Sequence, residues 1–123
     1  MSQQTQKLFA AHVVMVIDHV RRRREPSVLV FENVFLLQAP SAREALALAR
    51  KIGRSEEVLD GLLLNGAPAQ QRFAGVRKVV ECLRFDPSAS SVHKMEVTYS
   101  EIRLERRNLA RYVKGLECRV WTK

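Results

Sequence analysis

Few side chains in this 123-residue sequence are of types that could support metal binding or catalysis, and their spacing argues against both. His12 and His19 differ by an odd number within one apolar run. In a strand they therefore point to opposite faces, while His12 and Asp18 share a face but lie about 20 Å apart at ~3.3 Å per residue. Neither pair can chelate one ion, and His93 has no Cys or His at a metal-ligand spacing. Cys82 and Cys118 lack the close spacing of a redox or zinc pair and read as buried free thiols; a disulfide would need an oxidising compartment. No GxSxG elbow, GxGxxG turn or phosphate-binding loop is present. The expectation is therefore no catalytic residue, no metal site and no cofactor.

One polar constellation interrupts this apolar background. Glu32 breaks a run of valines, and Glu96 and Tyr99 break a later strand. If those strands are neighbours, Glu32 and Glu96 can approach a shared partner such as Arg77, or form a carboxylate pair of the kind that acid–base catalysis uses. A structural salt bridge is the preferred reading over an active site, and the valines around Glu32 suggest an interface.

The elements that must position these residues begin with a hairpin, predicted over about Leu8–Val20 and Ser27–Gln38. Residues directly opposite in an antiparallel pair share a face. If Phe9, Ala11, Val13, Met15 and Ile17 oppose Leu29, Phe31, Phe35 and Leu37, then Val14, Val16, Asp18, Val30, Glu32 and Val34 share the reverse face. A sheet apolar on both faces needs two covers. Val14, Val16, Val30, Glu32 and Val34 are thus candidate interface residues, for a second copy of the chain or an acidic protein partner.

After the hairpin, Ser41-Ala42-Arg43-Glu44 fits a capping box, with Ala45, Leu48, Ala49 and Ile52 on one stripe of the helix and Gly53 as its stop. Ser55–Asp60 is read as an added helical turn, and Asn65-Gly66 as a tight turn with positive φ. Pro68 argues against a central strand there. Strands are expected over about Gln71–Phe85, with a bulge near Gly75, and over Val92–Glu101 after an Asp86–Ser91 loop. A short basic helix over Arg106–Lys114 and an edge strand over Leu116–Trp121 follow. The fold class is α+β: an antiparallel sheet of four to five strands in β-β-α-β-β-α-β order, with one long capped helix on one face. Residues 1–7 read as a disordered tail and 8–123 as a single domain.

The composition, 46% hydrophobic and 28% charged, is that of a globular domain. No apolar run approaches the roughly 18 residues of a membrane span, and no signal segment is evident, so a cytoplasmic protein without membrane association is expected. The net charge of +8, from 21 Lys and Arg against 13 Asp and Glu, favours acidic partners. Nucleic acid is the alternative to a protein, through Arg21, Arg22, Arg23, Arg24, Arg77, Lys78, Arg103, Arg106, Arg107 and Arg111. Arg21–Arg24 reads otherwise as a charged hairpin tip that discourages edge-to-edge association.

Taken in order, Phe31-Glu32-Asn33-Val34-Phe35-Leu36-Leu37-Gln38-Ala39, Ser41-Ala42-Arg43-Glu44-Ala45, Gly66, Phe73-Ala74-Gly75-Val76 and Glu96-Val97 resemble a small bacterial family, domain of unknown function 4288. The likeness spans about Ala10 to Leu104. Leu8-Phe9 stands where members tend to carry a Trp-aromatic pair, and Met95 where they carry a Gly. The resemblance brings no established activity, and Glu32, Gly75, Glu96 and Val97 carry over as pattern positions only. A non-catalytic interaction protein of the immunity or antitoxin kind is the expected function, with nucleic-acid binding second and a small enzyme centred on Glu32 and Glu96 third.

Overall fold

The computed structural model describes residues 5–21, 27–82 and 94–114, and of 94–99 the backbone. Strands β1 (Lys7–His19) and β2 (Ser27–Ala39) are followed by helix α1 (Ala42–Ser55), then β3 (Val58–Leu64), β4 (Ala67–Cys82) and β5 (Lys94–Glu105). A tight helical turn over Arg106–Asn108 leads into α2 (Leu109–Lys114). The five strands form one open antiparallel sheet in the order β3-β4-β1-β2-β5.

The hairpin register pairs Phe9 with Leu37, Ala11 with Phe35, Met15 with Phe31 and Ile17 with Leu29, and on the reverse face Val14 with Glu32 and Val16 with Val30. The first face packs beneath α1. Ala11, Val13, Met15, Phe35 and Leu37 form a buried cluster with Ala49 and Ile52 of the helix. The side chain of Ser41 accepts from the backbone N–H of Glu44 and starts α1. Gly53 does not stop it. The helix runs on to Ser55, and Gly53 is buried against β4, where a Cβ would lie 2.2 Å from the Phe73 ring.

Asn65 and Gly66 both have positive φ, 53° and 79°, and make the two-residue β3–β4 turn. This turn type suits the right-handed twist of the strands it joins. Two bulges then bend β4 against β1, one between the His12 and Val13 pairings and one between Val14 and Met15. The second falls at Gly75, as the sequence predicts.

The element order differs from the expected one. Val58–Leu64 is an edge strand, not a helical turn, and its alternation is hidden by two extra residues in its pairing with β4. β4 starts at Ala67 and is interior despite Pro68. Leu64 and Ala67 close the hairpin, so the Pro68 nitrogen points away from β3; its carbonyl accepts from Val20 N–H on the β1 side. In β5, a register shift between the Val34 and Phe35 pairings switches the phase. Ile102 and Leu104 therefore continue the strand opposite Val30 and Val28 rather than ending it. Nor is there one long helix on one face: a helix of 14 residues covers one face and one of 6 packs on the other. Residues 1–4, 83–93 and 115–123 lie outside the described residues, and with them most of the expected tail, the Asp86–Ser91 loop and the Leu116–Trp121 strand; Lys7 belongs to β1.

Candidate functional site

The reverse face of the sheet carries the polar constellation, built on valines. Val14, Val28 and Val30 are at most 2% exposed and Val16 8%, while Val34 is half-buried. The cover of Val14, Val16, Val28 and Val30 comes from the same chain: Leu109, Tyr112 and Val113 of α2, with Ile102 and Leu104 of β5 and Ala74 of β4. Gly75 permits this docking. Its φ of +149° disfavours any L side chain, and a Cβ there would sit 2.5 Å from Val113 Cγ1.

Glu32 sits among these valines, 5% exposed, and its carboxylate is bound from three elements. His12 Nδ1 of β1 donates to Oε2 at 2.6 Å. Arg77 of β4 reaches over β1 with Nε 3.0 Å from Oε1 and Nη2 3.1 Å from Oε2. The Tyr112 hydroxyl of α2 donates to Oε1. The Arg77 guanidinium also lies 4.9 Å from the centre of the Tyr112 ring, a cation–π contact.

Burial by itself pushes the Glu32 carboxyl up. The hydrogen bonds from His12, Arg77 and Tyr112 and the guanidinium charge outweigh it and hold the group at about 2. Glu32 is thus held as an anion at neutral pH by the groups around it. It fixes His12 in the tautomer that carries its proton on Nδ1. What this geometry does is anchor α2 and β4 to β2 through one carboxylate.

The sequence-derived candidates separate accordingly. Arg77 meets Glu32, whereas the register sets Ser100 opposite Glu32, Tyr99 opposite Asn33 and Glu96 opposite Phe35. Of the basic set, Arg77 is committed to Glu32, and Arg106 binds Asp18 through two bonds of 2.5 and 3.2 Å. Arg103 pairs with Leu29 and so lies on the α1 side, Arg21 is exposed at the end of β1, and Arg22, Arg23 and Arg24 fall outside the described residues. Arg107 and Arg111 are exposed beside Lys114 at helical spacing, and Lys78 and Arg72 pair with His12 and Val16, on the same face.

His12 and Tyr112 are the network members missed by sequence reasoning. His12 had a signal, since it shares strand parity with Val14, the residue opposite Glu32. Tyr112 had none, because its place depends on how α2 folds back. His19 lies apart from this network, with Nε2 donating to the Leu64 carbonyl at 2.7 Å. Among the described residues no three His, Cys, Asp or Glu side chains gather as metal ligands would, and no helix is long and apolar enough to cross a membrane.

No family model matches this chain, and neither a curated protein nor a solved structure is similar enough to show kinship.

Proposed function

We propose that this is a small non-catalytic interaction protein that grips an acidic protein partner with the outward side of α2. The observation that carries this reading is the division of labour in that helix. Leu109, Tyr112 and Val113 fill the valine face, while Arg107, Arg111 and Lys114 are exposed, flanked on β4 by Arg72 and Lys78. The enclosed Glu32 network supports binding over catalysis, since its carboxylate is already held by His12, Arg77 and Tyr112. A bacterial cytoplasmic protein of the immunity or antitoxin kind fits this reading, as does the resemblance to domain of unknown function 4288.

The test compares the native chain with an Arg107→Glu/Arg111→Glu/Lys114→Glu variant in crosslinking and co-purification from cells that express it. An acidic protein recovered in stoichiometric amount with the native chain and lost from the variant supports the reading. Equal recovery by both chains rejects it.

The same stripe favours nucleic acid as the second reading, because phosphates would meet the same cations. Binding to mixed DNA and RNA should then weaken with salt by a log–log slope of about −0.7 to −0.9 per phosphate contacted. No retardation at low salt ends that reading. A second copy of the chain would use another surface. The valine face is filled from within, so a homodimer would pair along β3, where Leu59 is 50% and Leu63 64% exposed. Sedimentation of a Leu59→Lys/Leu63→Lys variant against the native chain decides it: dimer mass lost in the variant supports pairing there, and a monomeric native chain excludes it.

A further inference from the structure

We propose that the cleft at the open end of the α2-covered face is a binding site for a small amphipathic anion, an apolar body carrying one carboxylate. This site shares Arg72 with the margin of the partner surface, but Arg107, Arg111 and Lys114, the residues that carry that surface, do not line it. The cleft encloses about 640 Å³ between the ends of β1 and β4 and the start of α2, within the range of small-molecule sites. Val16, Val28, Ala74 and Leu109 make its apolar lining, which continues the buried valine cluster, and Val20 adds a 38%-exposed apolar side chain.

The charges at its wall give the preference for an anion. Among the described residues that line the cleft, Arg72 and Arg106 stand against the one carboxylate of Asp18, an excess of one positive charge. Asp18 takes two bonds from Arg106, so that pair is internally balanced. The Arg72 Nε and Nη2 both donate to Gln70 Oε1, at 3.0 and 2.5 Å, and this holds the exposed guanidinium in place at the wall. Its Nη1 remains to donate to a ligand. His19, also in the wall, is engaged through Nε2 with the Leu64 carbonyl. A ligand that buries hydrocarbon against the valines and turns a carboxylate to Arg72 satisfies both halves of the cleft.

Octanoate, octanol and octylammonium separate the two contributions because they share one chain and differ in charge. In amide-resolved NMR titrations of the full chain, octanoate should give saturable shifts centred on Val16, Val28, Ala74 and Leu109. It should bind about tenfold more tightly than octanol, the ratio that one charged hydrogen bond supplies, and octylammonium should not bind. Arg72→Gln should erase the advantage of octanoate over octanol. Val20→Glu, at an exposed position of the lining, should weaken octanoate more than octanol, because it adds a like charge to the loss of apolar contact that both ligands share. Scattered or unsaturable shifts, equal binding of octanoate and octanol, or an advantage that survives Arg72→Gln would overturn the proposal.

Discussion

Arg77 binds Glu32 although their strands are not neighbours: β1 lies between β4 and β2, and the guanidinium crosses it to make both of its bonds to the carboxylate. The β4 bulge at this point makes the reach possible. One extra residue lies between Lys78, paired with His12, and Val76, paired with Val13, and that residue is Arg77. A regular strand would alternate Arg77 away from the neighbour that shares its face with Glu32.

Removing Glu32 should cost more than any other single truncation on this face. Glu32→Ala removes the carboxylate that Arg77 and Tyr112 bind, and a broken buried ion pair typically costs about 3–5 kcal/mol. Arg77→Met in the Glu32→Leu background removes both charges together and should recover much of that loss. Urea midpoints of the single and double variants measure the difference.

The same carboxylate makes stability depend on acid. Its folded value is lowered from an ordinary 4.5 to about 2, so between those limits the unfolded chain binds the proton more readily. The contribution is fully present above about pH 4.5, is lost as pH falls through 2, and is on the order of 3 kcal/mol. Denaturant titrations across this window should show native stability falling towards that of Glu32→Gln, whose own profile lacks this component.

Gly75→Ala should detach α2 and spare the sheet. The φ of +149° and the 2.5 Å approach of Val113 penalise the added methyl together, by about 1–3 kcal/mol for the backbone strain alone. Six residues are too few for a helix to persist undocked. Hydrogen exchange should speed up over Leu109–Lys114 while β1 and β2 remain protected, and the Glu32 network should lose Tyr112.

On the other face, Gly53→Ala should press a methyl into the Phe73 ring, with an overpacking cost of about 1–3 kcal/mol. Phe73→Leu makes room at that contact. In thermal denaturation the Gly53→Ala/Phe73→Leu chain should be more stable than the sum of the two single changes allows.

Burial pushes the half-buried Cys82 thiol above its ordinary value of 9.0. Its thiolate fraction at pH 8 is correspondingly small. Iodoacetamide should therefore modify Cys82 more slowly in the folded chain than in urea, with the ratio read by peptide mass mapping.

The residues by themselves determined what is local. Alternation at period two assigned both hairpin faces, because a strand turns each successive side chain over regardless of its surroundings. Ser41 with Glu44, and Asn65 with Gly66, marked a helix start and a turn because their side chains and backbone angles act within a few residues. β3 was hidden because its exposed edge has no buried stripe and its extra residues break the period. Tertiary structure decided what depends on distant partners. It placed β1 between β2 and β4, aimed Arg77 through a bulge, and brought Tyr112 of α2 onto Glu32, eighty residues away in the chain. The physical reason is that those choices minimise wet valine surface and unpaired buried charge over the whole sheet, quantities that no short stretch of sequence contains.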